Sequence, residues 1–252
     1  MDTQRCFLWL RTRDLVRLRF RGAFLGLAWN ILQPALYLVL FGLVFAVVNR
    51  TSYRDYILYL FAGLVPWRFF EQASQAMTES IVSSSVFTRG FRVPYFYFPI
   101  SELCAQFIDF LASFLCLLLL LTLLRLPVRQ AMLILPASVL TLALIAAGGG
   151  LCLSVIFVFF RDIRPIVQMG LMVALFSSTV FFKPDALAGG DGKIWLKLNP
   201  VCYWVALFQK PIYFGSLPNL TDWAVSLSSG LVLIGIGTIL YRSLHRKFYF
   251  YF

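Results

Sequence analysis

Charged and amide side chains buried in long apolar runs are the places where this sequence can do chemistry. Arg68 and Glu71 interrupt the apolar run from Tyr56 to Met77. Three residues apart, they share one helical face and can neutralise one another, and that structural role is the preferred reading. Gln106 and Asp109 repeat the spacing between Leu103 and Leu124. Asp109 either bonds a neighbouring helix or faces the interior of a dimer, because a charge at that depth is costly in lipid. Arg13, Arg17, Arg19 and Arg21 crowd the start of the chain, and guanidinium groups suit phosphate. Tyr37, Phe41 and Phe45 recur every four residues on one face of the first apolar run. They form either a wall on which sugar C–H faces stack or ordinary packing against lipid and other helices.

Catalytic constellations are missing from the sequence. Its one histidine, His245, sits beside Arg246 and reads as a solvated tail residue. Gly189-Gly190-Asp191-Gly192-Lys193-Ile194 imitates a phosphate loop. It lacks the first glycine at the required spacing and carries Ile where Ser or Thr must hold magnesium. Cys6, Cys104, Cys116, Cys152 and Cys202 show no metal-ligand spacing and read as small packing residues. No metal or cofactor is expected in this chain.

The elements that position these residues follow from composition. The chain has 252 residues, 60% hydrophobic and 13% charged, with mean hydropathy +0.82. A soluble domain of this length cannot hide so much apolar surface. Six stretches are candidates to cross a bilayer: 31–48, 56–77, 103–124, 131–160, 166–182 and 223–241. A bilayer core needs about 20 helical residues. The expected fold is an all-α integral membrane protein with six transmembrane helices in a single domain, residues 1–252. An even number of spans puts both ends on one side. Thirteen Lys and Arg lie on the side of the termini and eight on the other, so both termini are expected in the cytoplasm. No cleaved signal peptide is expected. The net charge of +11 points to membrane lipids or an anionic substrate headgroup, not to nucleic acid.

Residues 5–25 are expected to form an amphipathic interfacial helix. Phe7, Leu8, Leu15, Leu18 and Leu25 fall within an arc of about 100°, opposite Arg5, Arg13, Arg17 and Arg21. Arg11 falls in the apolar arc. Residues 17–21 alternate as a strand would, but a lone strand at a membrane surface leaves its backbone unpaired. Leu25-Gly26 is where the chain turns into the bilayer. Arg161 and Asp162 form a local ion pair at a tight turn. In the segment 183–222, Asn199 caps a helix whose first turn holds Pro200. The residues that follow, through Tyr203 and Trp204, are apolar and aromatic. About ten helical residues reach only ~15 Å, half a bilayer, which fits a re-entrant helix buried in protein.

Four fragments in order carry a family resemblance: Arg13-Asp14-Leu15 with Leu25-Gly26-Leu27-Ala28-Trp29 and Gln33-Pro34; Gly63-Leu64-Val65-Pro66-Trp67 with Phe69-Phe70; Phe160-Arg161-Asp162; and Leu198-Asn199-Pro200. Together they resemble the membrane subunit of a type-2 ABC exporter, of the branch that moves lipid-linked polysaccharides such as O-antigen, capsule or teichoic acid. The resemblance implies a homodimer in the bacterial inner membrane, with two copies of a separate ATPase that bind ATP and magnesium. It implies that the loop 80–98 couples to that ATPase, with Phe87, Arg89, Phe91 and Arg92 composed like interface anchors. A headgroup-level aromatic belt is the other reading of this loop, and the one preferred for Tyr95 to Phe98. The resemblance also implies a lipid-pyrophosphate entrance at Arg13, Arg17, Arg19, Arg21, Leu25 and Gly26. It makes Asn199, Pro200, Tyr203 and Trp204 part of an outer gate of two re-entrant helices, Ile194 to Leu198 belonging to the first and Pro200 to Gln209 to the second, and Arg161 and Asp162 a lock on the inner helix ends. The sequence departs from the pattern at Ser177-Ser178-Thr179-Val180, where the family often has Ser-Pro. An exporter of a small lipid or drug is the alternative in transport. A membrane-embedded glycan transferase would want an acid–base cluster, and 183–222 offers only scattered Asp185, Asp191 and Asp222.

Overall fold

A computed structural model describes residues 2–20, 29–48, 52–84, 94–123, 130–184 and 192–251. The described residues are helical, and no strand occurs among them. In chain order the helices are α1 (Asp2–Phe20), α2 (Trp29–Val48), α3 (Tyr53–Ser83), α4 (Tyr97–Leu123), α5 (Leu135–Phe159), α6 (Ile163–Phe176), α7 (Gly192–Leu198), α8 (Pro200–Gln209) and α9 (Leu220–Leu244).

Three stretches are long and apolar enough to cross a membrane: Tyr97–Leu115, Gln130–Phe159 and Leu220–Phe248. This makes the chain a multi-pass membrane protein. α2 has 20 residues, about 30 Å at the helical rise. α3 has 31 residues and runs through Pro66 with Arg68 and Glu71 near its middle. The stretch 166–182, expected to be helical throughout, is not. α6 stops at Phe176 after 14 residues. At its end Ser177 Oγ donates to the Ala174 carbonyl and Ser178 Oγ to that of Leu175, at 3.2 and 2.7 Å. Hydroxyls that bond back this way offer the backbone an alternative to the helical ladder.

α3 is the central helix and touches α2, α4, α5, α6 and α8. The core lies around its first half, with Tyr56, Tyr59, Leu60 and Trp67 almost completely buried. α5 and α9 form the closest helix pair through small residues. A Cβ added at Gly148 would lie 2.6 Å from the Ile234 nitrogen, and one at Gly230 would lie 2.2 Å from Leu144 Cδ2. Within lipid, van der Waals contact of this kind is what holds helices together.

Both terminal segments lie at one end of the bundle. There Phe7 of α1 packs edge-on against Phe98 of α4, 6.0 Å between centroids. Phe248 packs with Ile81, Val155 and Val158. The opposite end holds the start of α3, the segment after α6 and the start of α9. These are called the terminal end and the far end below.

Candidate functional site

At the terminal end, α1 lies against α4. Its buried face differs from the expected arc. Phe7, Leu8 and Leu15 are partly covered and Thr12 is buried, but Leu18 is 60% exposed. Arg11, out of place on the helical wheel, explains the difference. Its Nη2 donates to Ser84 Oγ at the end of α3. Its guanidinium lies 4.7 Å from the centre of the Phe98 ring. Burial lowers its pKa from the usual value, and the charge of Glu102 opposes that shift. Arg11 therefore ties α1 to the end of α3 and the start of α4. Arg13 lies over the Trp9 ring at 5.1 Å, and Arg17 is exposed. Arg19 lies on α1, with its side chain outside the described part, while Arg21, Leu25 and Gly26 fall outside the described residues. So do Phe87, Arg89, Phe91 and Arg92.

The turn after α5 leaves Arg161 and Asp162 exposed. The bond that fastens this turn to the bundle comes from the next arginine. Arg164 Nε lies 2.7 Å from Glu79 Oε1 on α3. Sequence reasoning missed Arg164 because its partner is 85 positions away.

Near the middle of the bundle, Arg68 and Glu71 form the expected pair at 3.2 Å. Arg68 also lies over the Tyr37 ring, 4.6 Å to its centre. Tyr37 stacks on Phe41 at 5.8 Å, and Phe41 meets Phe181 at 5.2 Å. In the single chain Tyr37 and Phe41 are thus half-buried against α3 and the segment after α6, while Leu36, Val39, Leu40, Leu43, Val44 and Val47 of α2 are exposed. Phe45 lies on α2, with its side chain outside the described part.

The far end is a dense polar knot in apolar surroundings. Asn199 caps α8, its Oδ1 accepting from the Val201 nitrogen at 3.0 Å. Its Nδ2 donates to the Ser177 carbonyl at 3.1 Å. Tyr56 donates to the Phe181 carbonyl at 2.8 Å. The Tyr59 hydroxyl sits 2.5 Å from the Thr179 carbonyl and 2.8 Å from that of Phe182. Gln209, 2% exposed, donates to Thr179 at 3.0 Å. Irregular backbone at membrane depth needs such partners, because no water is there to replace them. Gly63 makes the approach of α8 to α3 possible, since a Cβ there would lie 2.7 Å from Gln209 Nε2. Trp204 is buried beside Phe70 and donates to Ser229 Oγ at 3.0 Å. Pro200 is exposed in the first turn of α8, and Tyr203 donates to the Lys197 carbonyl. Tyr56, Tyr59, Gly63 and Gln209 were not read as a group from the sequence. The signal available was two tyrosines three apart at the start of an apolar run.

The described residues form a helical frame with a densely hydrogen-bonded far end, an ion pair near the middle of the bundle and a charged terminal end. A family model for the ABC-2 type transporter matches residues 6–213. The chain belongs to the ABC-2 type transporter family. Relatives span nearly all of it. It is 25% identical over 235 residues to an O-antigen export system permease protein from Myxococcus xanthus, covering 92% of this chain and 90% of that one. It is 20% identical over 240 residues to an O-antigen export system permease protein from Klebsiella pneumoniae, covering 95% and 92%. Two of the fragments that carried the resemblance now have a structural role in this ABC-2 protein. Gly63 gives the clearance and Asn199 the cap that seat α8 in the bundle.

Proposed function

We propose that this chain is the membrane subunit of an ATP-driven exporter of a lipid-linked polysaccharide, O-antigen-like and carried on undecaprenyl pyrophosphate. The observation that carries the reading is the likeness, along more than nine-tenths of the chain, to O-antigen export permeases. Two copies pair in the bacterial inner membrane, six spans each, with both termini cytoplasmic. The exposed apolar faces of α2 and α6 suit that pairing. ATP is hydrolysed by two copies of a partner ATPase, which engages the loop 80–98 through Phe87, Arg89, Phe91 and Arg92. Arg13, Arg17, Arg19 and Arg21, with the Leu25-Gly26 turn, receive the pyrophosphate headgroup by charge-assisted hydrogen bonds. Tyr37, Phe41 and Phe45 support the polymer. α7 and α8 act as the re-entrant outer gate, seated by Asn199.

Deletion of the gene tests this reading. Surface polysaccharide is expected to vanish while lipid-linked polymer accumulates inside, and restoring the chain together with its ATPase is expected to reverse both. Normal surface polysaccharide in the deletion strain would overturn it. Accumulation of a small lipid would move the assignment to a lipid exporter.

A further inference from the structure

α3 changes character halfway along one face. At 100° per residue, Arg68, Glu71, Gln72, Gln75, Glu79 and Ser83 fall within an arc of about 120°. All six are partly or fully exposed, with side-chain exposures of 25% for Arg68, 22% for Glu71 and 39% for Glu79. Toward the far end the same arc is taken by Ile57, Phe61, Leu64 and Val65, of which the last three are buried. The face is apolar and largely covered from Ile57 to Val65, and largely polar and open from Arg68 to Glu79.

Two contacts fix where the open half looks. Arg68 touches Tyr37 of α2, and Glu79 touches Arg164 in the first turn of α6. The polar stripe therefore meets α2 near mid-helix, at Arg68, and α6 toward the terminal end, at Glu79. Its charges are matched along its length: Arg68 by Glu71 and Glu79 by Arg164. Between the pairs, the carboxamides of Gln72 and Gln75 make no hydrogen bond to another described residue. Hydrocarbon is a costly neighbour for such groups, which need water or a polar ligand.

We propose that this stripe is a binding track for a polyhydroxylated glycan chain in the half of the membrane nearest the termini. Gln72 and Gln75 offer both donors and acceptors to sugar hydroxyls, Glu71 accepts and Arg68 donates. Because the ion pairs cancel, the track carries little net charge and hydroxyls exchange along it without a deep trap. The inference rests on the exporter reading above and adds the surface that the polymer touches.

The test uses the complete transporter with its ATPase, in a cysteine-free background. Gln72→Cys and Gln75→Cys are exposed in inverted membrane vesicles to a charged, water-soluble thiol reagent. Leu231→Cys, on the exposed apolar face of α9, is the lipid-facing control. The two stripe positions are expected to react, the control is not, and labelling is expected to slow about tenfold when lipid-linked polysaccharide is arrested in the transporter. Gln72→Leu with Gln75→Leu is expected to lower export about tenfold at unchanged protein level and ATPase binding. Gln72→Asn with Gln75→Asn is expected to restore most of it. Inert cysteines, or full export by the leucine variant, in a transporter whose wild type exports polysaccharide would overturn the track alone. Reactive cysteines in a wild type that moves no polysaccharide would overturn the glycan assignment and the exporter reading together.

Discussion

The two ends of the bundle differ in how deeply their polar ties are buried. At the far end, the carbonyls of Ser177, Thr179, Phe181 and Phe182 are each met by a side chain from α3, from α8 or from the residue that caps α8. Most of these groups are buried, so each bond that is lost leaves a polar atom without water. At the terminal end the ties are charged and lie closer to solvent. Arg164 and Glu79 are 57% and 39% exposed, and Arg11 donates to the Ser84 hydroxyl. Exposed pairs contribute little to stability and break easily, whereas unpaired buried groups cost the full desolvation of the atom. The contrast suits a machine with a fixed frame at one end and a region that rearranges at the other.

The contrast breaks most readily at Gly63. Gly63→Leu would drive a side chain into Gln209 and Val205 and unseat α8. A loss of about 3 kcal/mol or failure to fold is expected, read as a lowered melting temperature or aggregation in detergent. Wild-type stability would mean that α8 is not held against α3. Tyr59→Phe is milder. It keeps the ring and removes the hydrogen bond to Thr179 and Phe182, so a loss of about 1–3 kcal/mol is expected by the same measurement. Glu79→Gln at the terminal end is expected to change stability by less than about 1 kcal/mol. A larger loss there than for Tyr59→Phe would reverse the comparison.

Much of the frame was legible because lipid forces apolar runs to be helical. Asn199-Pro200 announced a helix start, and the cap is there. Arg68 and Glu71 announced a pair from their spacing, and they form one. The end of α6 was not legible. Residues 177–182 carry no charge to mark a helix end, and their carbonyl partners Tyr56 and Tyr59 lie more than a hundred positions earlier. Arg11 looked like a flaw in an amphipathic pattern because its partners, Ser84, Phe98 and Glu102, are also remote. The polar face of α3 was overlooked for another reason. Its glutamines stand beside buried residues in the sequence, and only the packing shows which side of the helix is covered.

The proposed function has this chain pass a polymer across a membrane while a partner subunit hydrolyses ATP. Its most direct test is transport in proteoliposomes containing the chain, its partner ATPase and radiolabelled lipid-linked polysaccharide. With ATP added on the side of the ATPase, labelled polymer should become accessible to a glycosidase on the opposite side. It should not do so with a non-hydrolysable nucleotide or with either protein alone. ATP hydrolysis that moves small labelled lipids but leaves the polymer in place would contradict the account.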